Sequence, residues 1–230
     1  MIGIIGAMEE EIIEIKNHMQ DVTIQQKAGM DFYKGKLNGK DSVVVKSGIG
    51  KVNASACTQI LADIYNVDCV INSGIAGSLK NEINIGDIVI SKDAIQHDMD
   101  AVSFGYPKGQ IPRMDTLEFK ADARLIELAS ECCRRVNPEI SVFVGRILTG
   151  DIFVSDGAVK EQLMETFDGA CTEMEGAAIA QVAYINKIPF LIIRAISDKA
   201  DGSATMDYPE FEAKAIEHCV KLTLEIVANI

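Results

Sequence analysis

One stretch of the sequence limits the possible folds more than any other: an alanine-rich, almost wholly apolar run that directly follows two glutamates. The run extends over residues 176–183, and Glu173, Met174 and Glu175 precede it. Alanine-rich sequences favour helix, and a helix that is apolar on nearly all sides belongs in an interior. The sequence therefore predicts a buried helix whose N-terminus carries carboxylates, where the helix dipole favours negative charge. This segment alone leaves open whether the glutamates only cap the helix or also bind a hydroxyl-rich ligand.

Short apolar strands alternate with helical segments along the rest of the chain. The run 189–196 is almost continuously apolar and ends in Ser197-Asp198, which indicates a strand covered on both faces. Three alternating runs between residues 22 and 46 predict antiparallel strands, with Asn38-Gly39 as a hairpin turn. The pattern predicts an α/β fold, a three-layer α/β/α sandwich with a mixed central sheet. We expect the 230 residues to form a single domain, 1–230.

Two glycine-containing segments are predicted to be loops. Residues 46–52 lack the spacing of a nucleoside-triphosphate loop, and residues 74–78 follow a short strand predicted at 68–73. Ligands of α/β proteins bind where strands end in this way. Residues 98–119 form a long irregular segment, which is typical of lids or interfaces.

The charge and cysteine pattern exclude several classes of protein. A net charge of −12 disfavours nucleic acid and anionic membranes as partners. We find no apolar run of spanning length and no signal sequence. The six cysteines are scattered through apolar segments, which favours free thiols in a reducing compartment. The three histidines are too far apart in sequence to predict a metal site. We therefore expect a soluble, cytoplasmic protein.

Carboxylates follow three of the predicted strands, at residues 9–11, at Glu173 and Glu175, and at Asp198. A partly desolvated acid such as Asp198 has a raised pKa and can donate a proton, although an N-cap or Asx-turn is the alternative. Cleavage of a glycosidic bond needs an acid and a base of this kind. The residues alone thus allow a glycoside-cleaving hydrolase as one hypothesis.

Five motifs carry a resemblance to a known family. They are Ile2–Glu11, Lys46–Val52, Phe104–Tyr106, Glu173–Glu175 and Arg194–Asp198. In order and spacing they resemble the 5′-methylthioadenosine/S-adenosylhomocysteine nucleosidases. The resemblance implies the purine nucleoside phosphorylase fold, a homodimer, and no metal or cofactor. It also implies hydrolysis of methylthioadenosine, S-adenosylhomocysteine and 5′-deoxyadenosine, in methionine salvage and methyl-cycle recycling.

The resemblance also implies roles for individual residues. Glu11 matches the base that activates water, Glu175 the ligand of the ribose hydroxyls, and Asp198, supported by Ser197, the acid that protonates the purine. The other matching positions surround the substrate: Glu173 and Met174 beside the sugar, Phe153 and the backbone of Val154 at the adenine, Ile49 and Tyr208 near the alkylthio group, and Ala76 and Gly77 as backbone lining. A last set is expected to close the pocket, in part across the dimer interface: Met8, Val102, Phe104, Tyr106 and Pro112. Some members of the family have serine where this chain has Ile75.

Three alternatives remain open at this point. A phosphorolytic relative would need an anion site, whereas the first glycine turn carries glutamates. Some relatives cleave futalosine. A non-catalytic nucleoside-binding protein would have no need of both an acid and a base. We expect Glu173 and Glu175 to have different tasks: Glu175 binds the sugar, and Glu173 supports the wall of the pocket.

Overall fold

The computed structural model describes the backbone of residues 1–230 and all side chains except those of Met206 and Pro209. The described chain forms one ten-stranded sheet flanked by helices. The strands are β1 (Ile2–Gly6), β2 (Met19–Lys27), β3 (Met30–Leu37), β4 (Lys40–Lys46), β5 (Cys69–Ser78), β6 (Ile88–Gln96), β7 (Phe119–Lys120), β8 (Val142–Thr149), β9 (Cys171–Glu173) and β10 (Phe190–Asp198). The helices are α1 (Glu9–Asn17), α2 (Lys51–Tyr65), α3 (Ala123–Val136), α4 (Gly157–Phe167), α5 (Gly176–Asn186) and α6 (Ala204–Asn229), with a 3-10 turn at Val102–Phe104.

Successive residues of the central strands pack against opposite helical layers. Ile5, Val70 and Ile192 contact a core that contains α2 and α5, while their neighbours Ile4 and Ile71 contact one that contains α1, α3 and α6. Side chains of a strand alternate between its faces, so helices on both sides explain why these strands are apolar throughout. The predicted α/β/α sandwich with a mixed sheet is therefore confirmed.

Part of the sheet closes on itself, which the sequence did not predict. β5 pairs with β10 in parallel, β10 with β6 antiparallel, and β6 with β8 in parallel. β9 then joins β8 in parallel to β5 antiparallel and completes a ring of five strands. The strands β1, β4, β3 and β2 extend the sheet outward from β5. In the ring, Gly77 of β5 lies opposite both Thr172 of β9 and Asp198 of β10.

The segment 74–78 differs from its prediction as a loop. These residues continue β5, which runs to Ser78 and pairs with β10 beyond Gly74. Two glycines make this possible: a Cβ atom at Gly74 or Gly77 would clash with Glu11 or Asp198, so only glycine lets the strand pass this close to them. Among the described helices, none is long and apolar enough to cross a membrane.

Candidate active site

A cavity of about 380 Å³ lies where several strands end. Segments that follow β1, β4 and β8 contribute to it, together with the ends of β5, β9 and β10. The described residues that line it are Ala7, Met8, Glu11, Ile49, Ile75, Ala76, Gly77, Phe153, Thr172, Glu173, Met174, Glu175, Ser197, Asp198, Thr205 and Tyr208. A pocket of this size suits a small ligand such as a nucleoside. The structure thus brings most of the sequence-predicted site residues to one place.

Glu11 is held at the cavity by backbone amides. The N–H groups of Ala7 and Met8 donate to its Oε2 at 2.6 and 3.0 Å, so that Glu11 caps its own helix α1. The N–H of Ile75 donates to Oε1 at 3.2 Å. Burial raises the pKa of Glu11, and the Arg194 guanidinium and these amides oppose the rise. Of the three first-turn glutamates, Glu11 alone is buried, while Glu9 pairs with lysines.

Glu173 is an anchor for helix α5. Its carboxylate pairs with the fully buried Arg194 and accepts a hydrogen bond from the Thr149 hydroxyl. Oε2 also accepts the N–H of Gly176 at 2.7 Å, which satisfies an otherwise unpaired donor at the start of the helix. Thr149 in turn accepts the N–H of Ala177 at 2.7 Å. The bonds of Glu173 therefore join β9 to β8, to β10 and to the start of α5.

Glu175 occupies the N-cap position of α5, but its side chain does not cap the helix. Its Oε1 accepts instead the N–H of Gly50 at 2.8 Å. Burial first, and the neighbouring Glu173 carboxylate second, raise the pKa of Glu175 to about 7, against the opposing effect of Arg194. Among the described residues no donor bonds to its Oε2, and because Glu175 lines the cavity, this oxygen can accept hydrogen bonds from a ligand there.

Asp198 is the last residue of β10 and is almost fully buried. The Ser197 hydroxyl donates to its Oδ2 at 2.9 Å, and the N–H of Ala200 donates to Oδ1 at 2.8 Å. The second bond is the Asx-turn considered as an alternative, so Asp198 combines a local turn with a position in the cavity. Burial raises the pKa of Asp198, and its two hydrogen bonds limit the rise.

Aromatic and apolar side chains form the opposite wall. The rings of Phe153 and Tyr208 meet edge to face, with centroids 6.0 Å apart, and the Tyr208 hydroxyl lies 3.5 Å from the Met8 sulfur. A side cavity of about 30 Å³ adjoins this wall and is lined in part by Val154, Thr172 and Asp198. Val154 therefore borders the side cavity instead of the main one, whereas Ile49 lines the main cavity.

Four predicted pocket residues do not line this cavity in their own chain: Val102, Phe104, Tyr106 and Pro112. Val102 and Phe104 are 53% and 83% exposed. They belong to the 98–119 segment, which connects β6 to β7.

The structure adds residues that the sequence interpretation missed. Ala7, Thr172 and Thr205 line the cavity, the Gly50 amide contacts Glu175, and Arg194 pairs with Glu173, whereas Ile75, noted above for its difference from some family members, also lines the cavity. Only Arg194 gave a signal in the sequence, because an arginine within an apolar strand must find a buried partner. In the part of the chain that the structure describes, no group of three or more His, Cys, Asp or Glu is placed to hold a metal ion.

Comparison with known proteins assigns the chain to a family. The family model of the Phosphorylase superfamily matches residues 1–228. The 5′-methylthioadenosine/S-adenosylhomocysteine nucleosidase of Staphylococcus carnosus is 41% identical over 231 residues, which cover 100% of both chains.

Two solved structures have the same fold over essentially their whole length. The enzyme of this name from Neisseria meningitidis, in complex with methylthio-immucillin-A, has a TM-score of 0.96 at 38% identity and covers 100% of this chain and 99% of its own. The futalosine hydrolase of Helicobacter pylori has a TM-score of 0.94 at 33% identity and covers 100% and 97%. The chain therefore belongs to the Phosphorylase superfamily and, within it, to the 5′-methylthioadenosine/S-adenosylhomocysteine nucleosidases.

Proposed function

We propose that the chain hydrolyses the N-glycosidic bond of 5′-methylthioadenosine and S-adenosylhomocysteine, and also of 5′-deoxyadenosine, and releases adenine. The observation that carries this proposal is the convergence of Glu11, Glu175 and Asp198, from three different elements, on one cavity of nucleoside size. The relatives from Staphylococcus carnosus and Neisseria meningitidis are named as nucleosidases of these two thioether nucleosides. The reaction would serve methionine salvage and methyl-cycle recycling.

Asp198 is suited to act as the acid. Burial raises its pKa, which favours the protonated carboxyl group more than in an exposed aspartate. The proton passes to N7 of the purine, the C1′–N9 bond breaks, and its electron pair goes to the leaving base. Ser197 and the Ala200 amide fix the carboxyl group through one bond to each oxygen.

Glu175 is suited to bind the sugar, and Glu11 is suited to activate water. Glu175 would accept hydrogen bonds from the ribose hydroxyls while positive charge develops on the ring. Glu11 would take a proton from the water whose oxygen attacks C1′. Three amides hold the Glu11 carboxylate in one orientation, which lowers the entropic cost of placing the base.

The charge of the cavity favours hydrolysis over phosphorolysis. Its described lining contains four carboxylates and no lysine, arginine or histidine. A phosphate ion needs basic side chains or converging amides, whereas the amides near Glu11 are already bonded to its carboxylate.

Adenine release from methylthioadenosine in phosphate-free buffer tests both the choice of hydrolysis over phosphorolysis and the role of Asp198. We expect full activity without phosphate, and a fall in kcat of roughly 10²- to 10⁴-fold for Asp198→Asn, with an unchanged circular dichroism spectrum. Strict dependence on phosphate would show a phosphorylase, and full activity of Asp198→Asn would disprove the role of this acid.

Futalosine hydrolysis is the second candidate, supported by the similarity to the Helicobacter pylori futalosine hydrolase. Both substrates would use the same acid and base. A comparison of kcat/KM for methylthioadenosine and futalosine on the same preparation decides between them.

We also propose that the chain is a homodimer in the cytoplasm, with the pocket closed in part by the neighbouring subunit. The exposed apolar side chains of Val102 and Phe104 support a surface that a second copy covers. All six cysteines are buried free thiols, which fits a reducing compartment. Light scattering after size exclusion measures the oligomeric state.

A further inference from the structure

A closed ring of hydrogen bonds lies behind the cavity and joins the two loops that carry Ile49 and Phe153. Lys51 Nζ donates to Asp98 Oδ1 at 2.7 Å. Asp98 Oδ2 accepts the N–H of Asp151 at 3.0 Å, and Asp151 Oδ1 accepts the N–H of Lys51 at 2.9 Å. These bonds link three separate segments, and we call them the Lys51–Asp98–Asp151 ring.

The ring adjoins the amide that reaches into the site. Gly50 directly precedes Lys51, and its N–H is the one that donates to Glu175 Oε1. Gly50 has φ +94°, and a Cβ atom there would lie 3.1 Å from Asp151 Oδ1. The carboxylate of Asp151 thus fixes the backbone at the point where it turns toward Glu175.

The ring is also anchored to the helix that presents Glu175. Lys51 Nζ donates to Gln96 Oε1 at 3.2 Å, and Gln96 Nε2 donates to Gln181 Oε1 on α5 at 2.6 Å. The side chains of Lys51 and Asp98 are 19% and 18% exposed, so solvent screens this pair less than a surface ion pair. Burial opposes ionisation of Asp98, but the bonds from Lys51 and from the Asp151 N–H bring its pKa below the usual range.

We propose that Lys51, Asp98 and Asp151 are positioning residues for the reaction, because the ring holds the Gly50 N–H on Glu175 and fixes the spacing of the Ile49 and Phe153 loops. The inference rests on the proposed function. None of the three side chains is among the described residues that line the cavity, so they act through Gly50 and Glu175 and not on the substrate.

Two variants break the ring at different bonds. Asp98→Asn loses an acceptor, since an amide nitrogen cannot accept from Lys51 or from the Asp151 N–H. Asp151→Ala loses the acceptor of the Lys51 N–H. For each we expect kcat/KM for methylthioadenosine to fall roughly 10- to 100-fold. Asp151→Asn keeps one oxygen as an acceptor and should recover most of the activity.

A matched control breaks a lysine–aspartate pair far from the cavity. Asp168 accepts from Lys80 at 2.8 Å on the surface and is 80% exposed. Asp168→Asn should keep kcat/KM within about twofold of the wild type.

The pH profile separates positioning from a simple charge effect. Glu173, Arg194 and Glu11 face Glu175 from β9, β10 and α1, and neither ring variant changes them. Removing the negative charge of Asp98 or Asp151 would by itself lower the pKa of Glu175. Losing the Gly50 N–H would raise it. If the ring acts by positioning, the loss of the Gly50 N–H is the larger effect. We therefore expect the acid limb of the kcat/KM profile to move to higher pH in Asp98→Asn and Asp151→Ala.

Three results would overturn the inference: an acid limb that stays in place, an acid limb that moves to lower pH, or kcat/KM within about twofold of the wild type in both ring variants. A wild-type protein that releases no adenine at all would instead refute the proposed function on which the inference rests.

Discussion

Arg194 organises the carboxylates of the site at the level of single residues. It is 1% exposed and pairs with Glu173, while Glu11 and Glu175 act on it through their charges. Removing one partner of a buried ion pair leaves an uncompensated charge, which is strongly destabilising. Glu173 and Glu175 therefore have different partners although they are two residues apart: the first pairs with Arg194, and the second accepts the N–H of Gly50.

The ionisation of Glu175 should appear in the stability of the protein. Its pKa is raised from 4.5 to about 7 in the folded state, so the folded chain holds this proton over a pH range in which the unfolded chain has lost it. The contribution to stability is present at acidic pH and is lost as the pH rises through about 7.

Glu175→Gln removes this titration and keeps an oxygen for the Gly50 N–H. The free energy of unfolding of the variant minus that of the wild type should therefore increase between pH 5 and pH 8, by roughly 1–3 kcal/mol. Urea denaturation at both pH values measures the difference. A difference that does not change with pH would show that Glu175 titrates alike in both states.

At the level of elements, strand β5 can lie close to the carboxylates of Glu11 and Asp198 because it has a glycine at each point of closest approach. A Cβ atom at Gly74 would lie 2.5 Å from Glu11 Oε1, and one at Gly77 would lie 2.7 Å from Asp198 Oδ1 and 2.9 Å from Ala200 Cβ. Real Cβ contacts are longer, so any larger residue would displace the proposed acid or base. The strand thus contributes to the site by leaving space.

Gly77→Ala should accordingly harm activity and stability together. We expect overpacking to cost roughly 1–3 kcal/mol, and displacement of Asp198 to lower kcat/KM by roughly 10- to 100-fold. Thermal unfolding and adenine release measure the two effects.

Gly157→Ala is the matched control. Gly157 begins α4, and a Cβ there meets no heavy atom within 4 Å. This variant should keep its activity and gain up to about 1 kcal/mol, because alanine restricts the unfolded chain. Equal losses in the two variants would show that glycine flexibility, and not the space beside Asp198, is what β5 requires.

At the level of the whole molecule, the 98–119 segment exposes apolar side chains at its surface, and none of the described residues that line the cavity belongs to it. Phe104 is more exposed than any other large hydrophobic residue in the described part of the chain. If a second copy covers it and it closes the neighbour's pocket, then each active site needs residues from two chains.

Mixing two inactive variants tests this shared site. Phe104→Asp should lower activity by opening the neighbour's pocket, and Asp198→Asn removes the acid. In a mixed dimer, one of the two pockets has an intact Asp198 and a neighbouring Phe104, so each mixed dimer should recover up to about half of the wild-type activity. No recovery in a mixture shown by mass spectrometry to contain mixed dimers would argue against a cross-dimer pocket.

The sequence by itself determined several strands and helices and the carboxylates at their ends. The apolar strands predicted at 68–73 and 189–196, the buried alanine-rich helix and the carboxylates at Glu11, Glu175 and Asp198 are local patterns, set by periodicity and by the position of charge relative to apolar runs. The motifs that contain these carboxylates were enough to indicate the family.

Only the tertiary structure decided which ends meet. The closure of β5, β10, β6, β8 and β9 into a ring places Gly77 beside Asp198, and the buried Arg194 assigns Glu173 to the fold. The Gly50 amide and the Lys51–Asp98–Asp151 ring bring together residues up to 125 positions apart. Contacts of this kind depend on strand pairing and on the packing of distant segments, which leave no local pattern in the sequence.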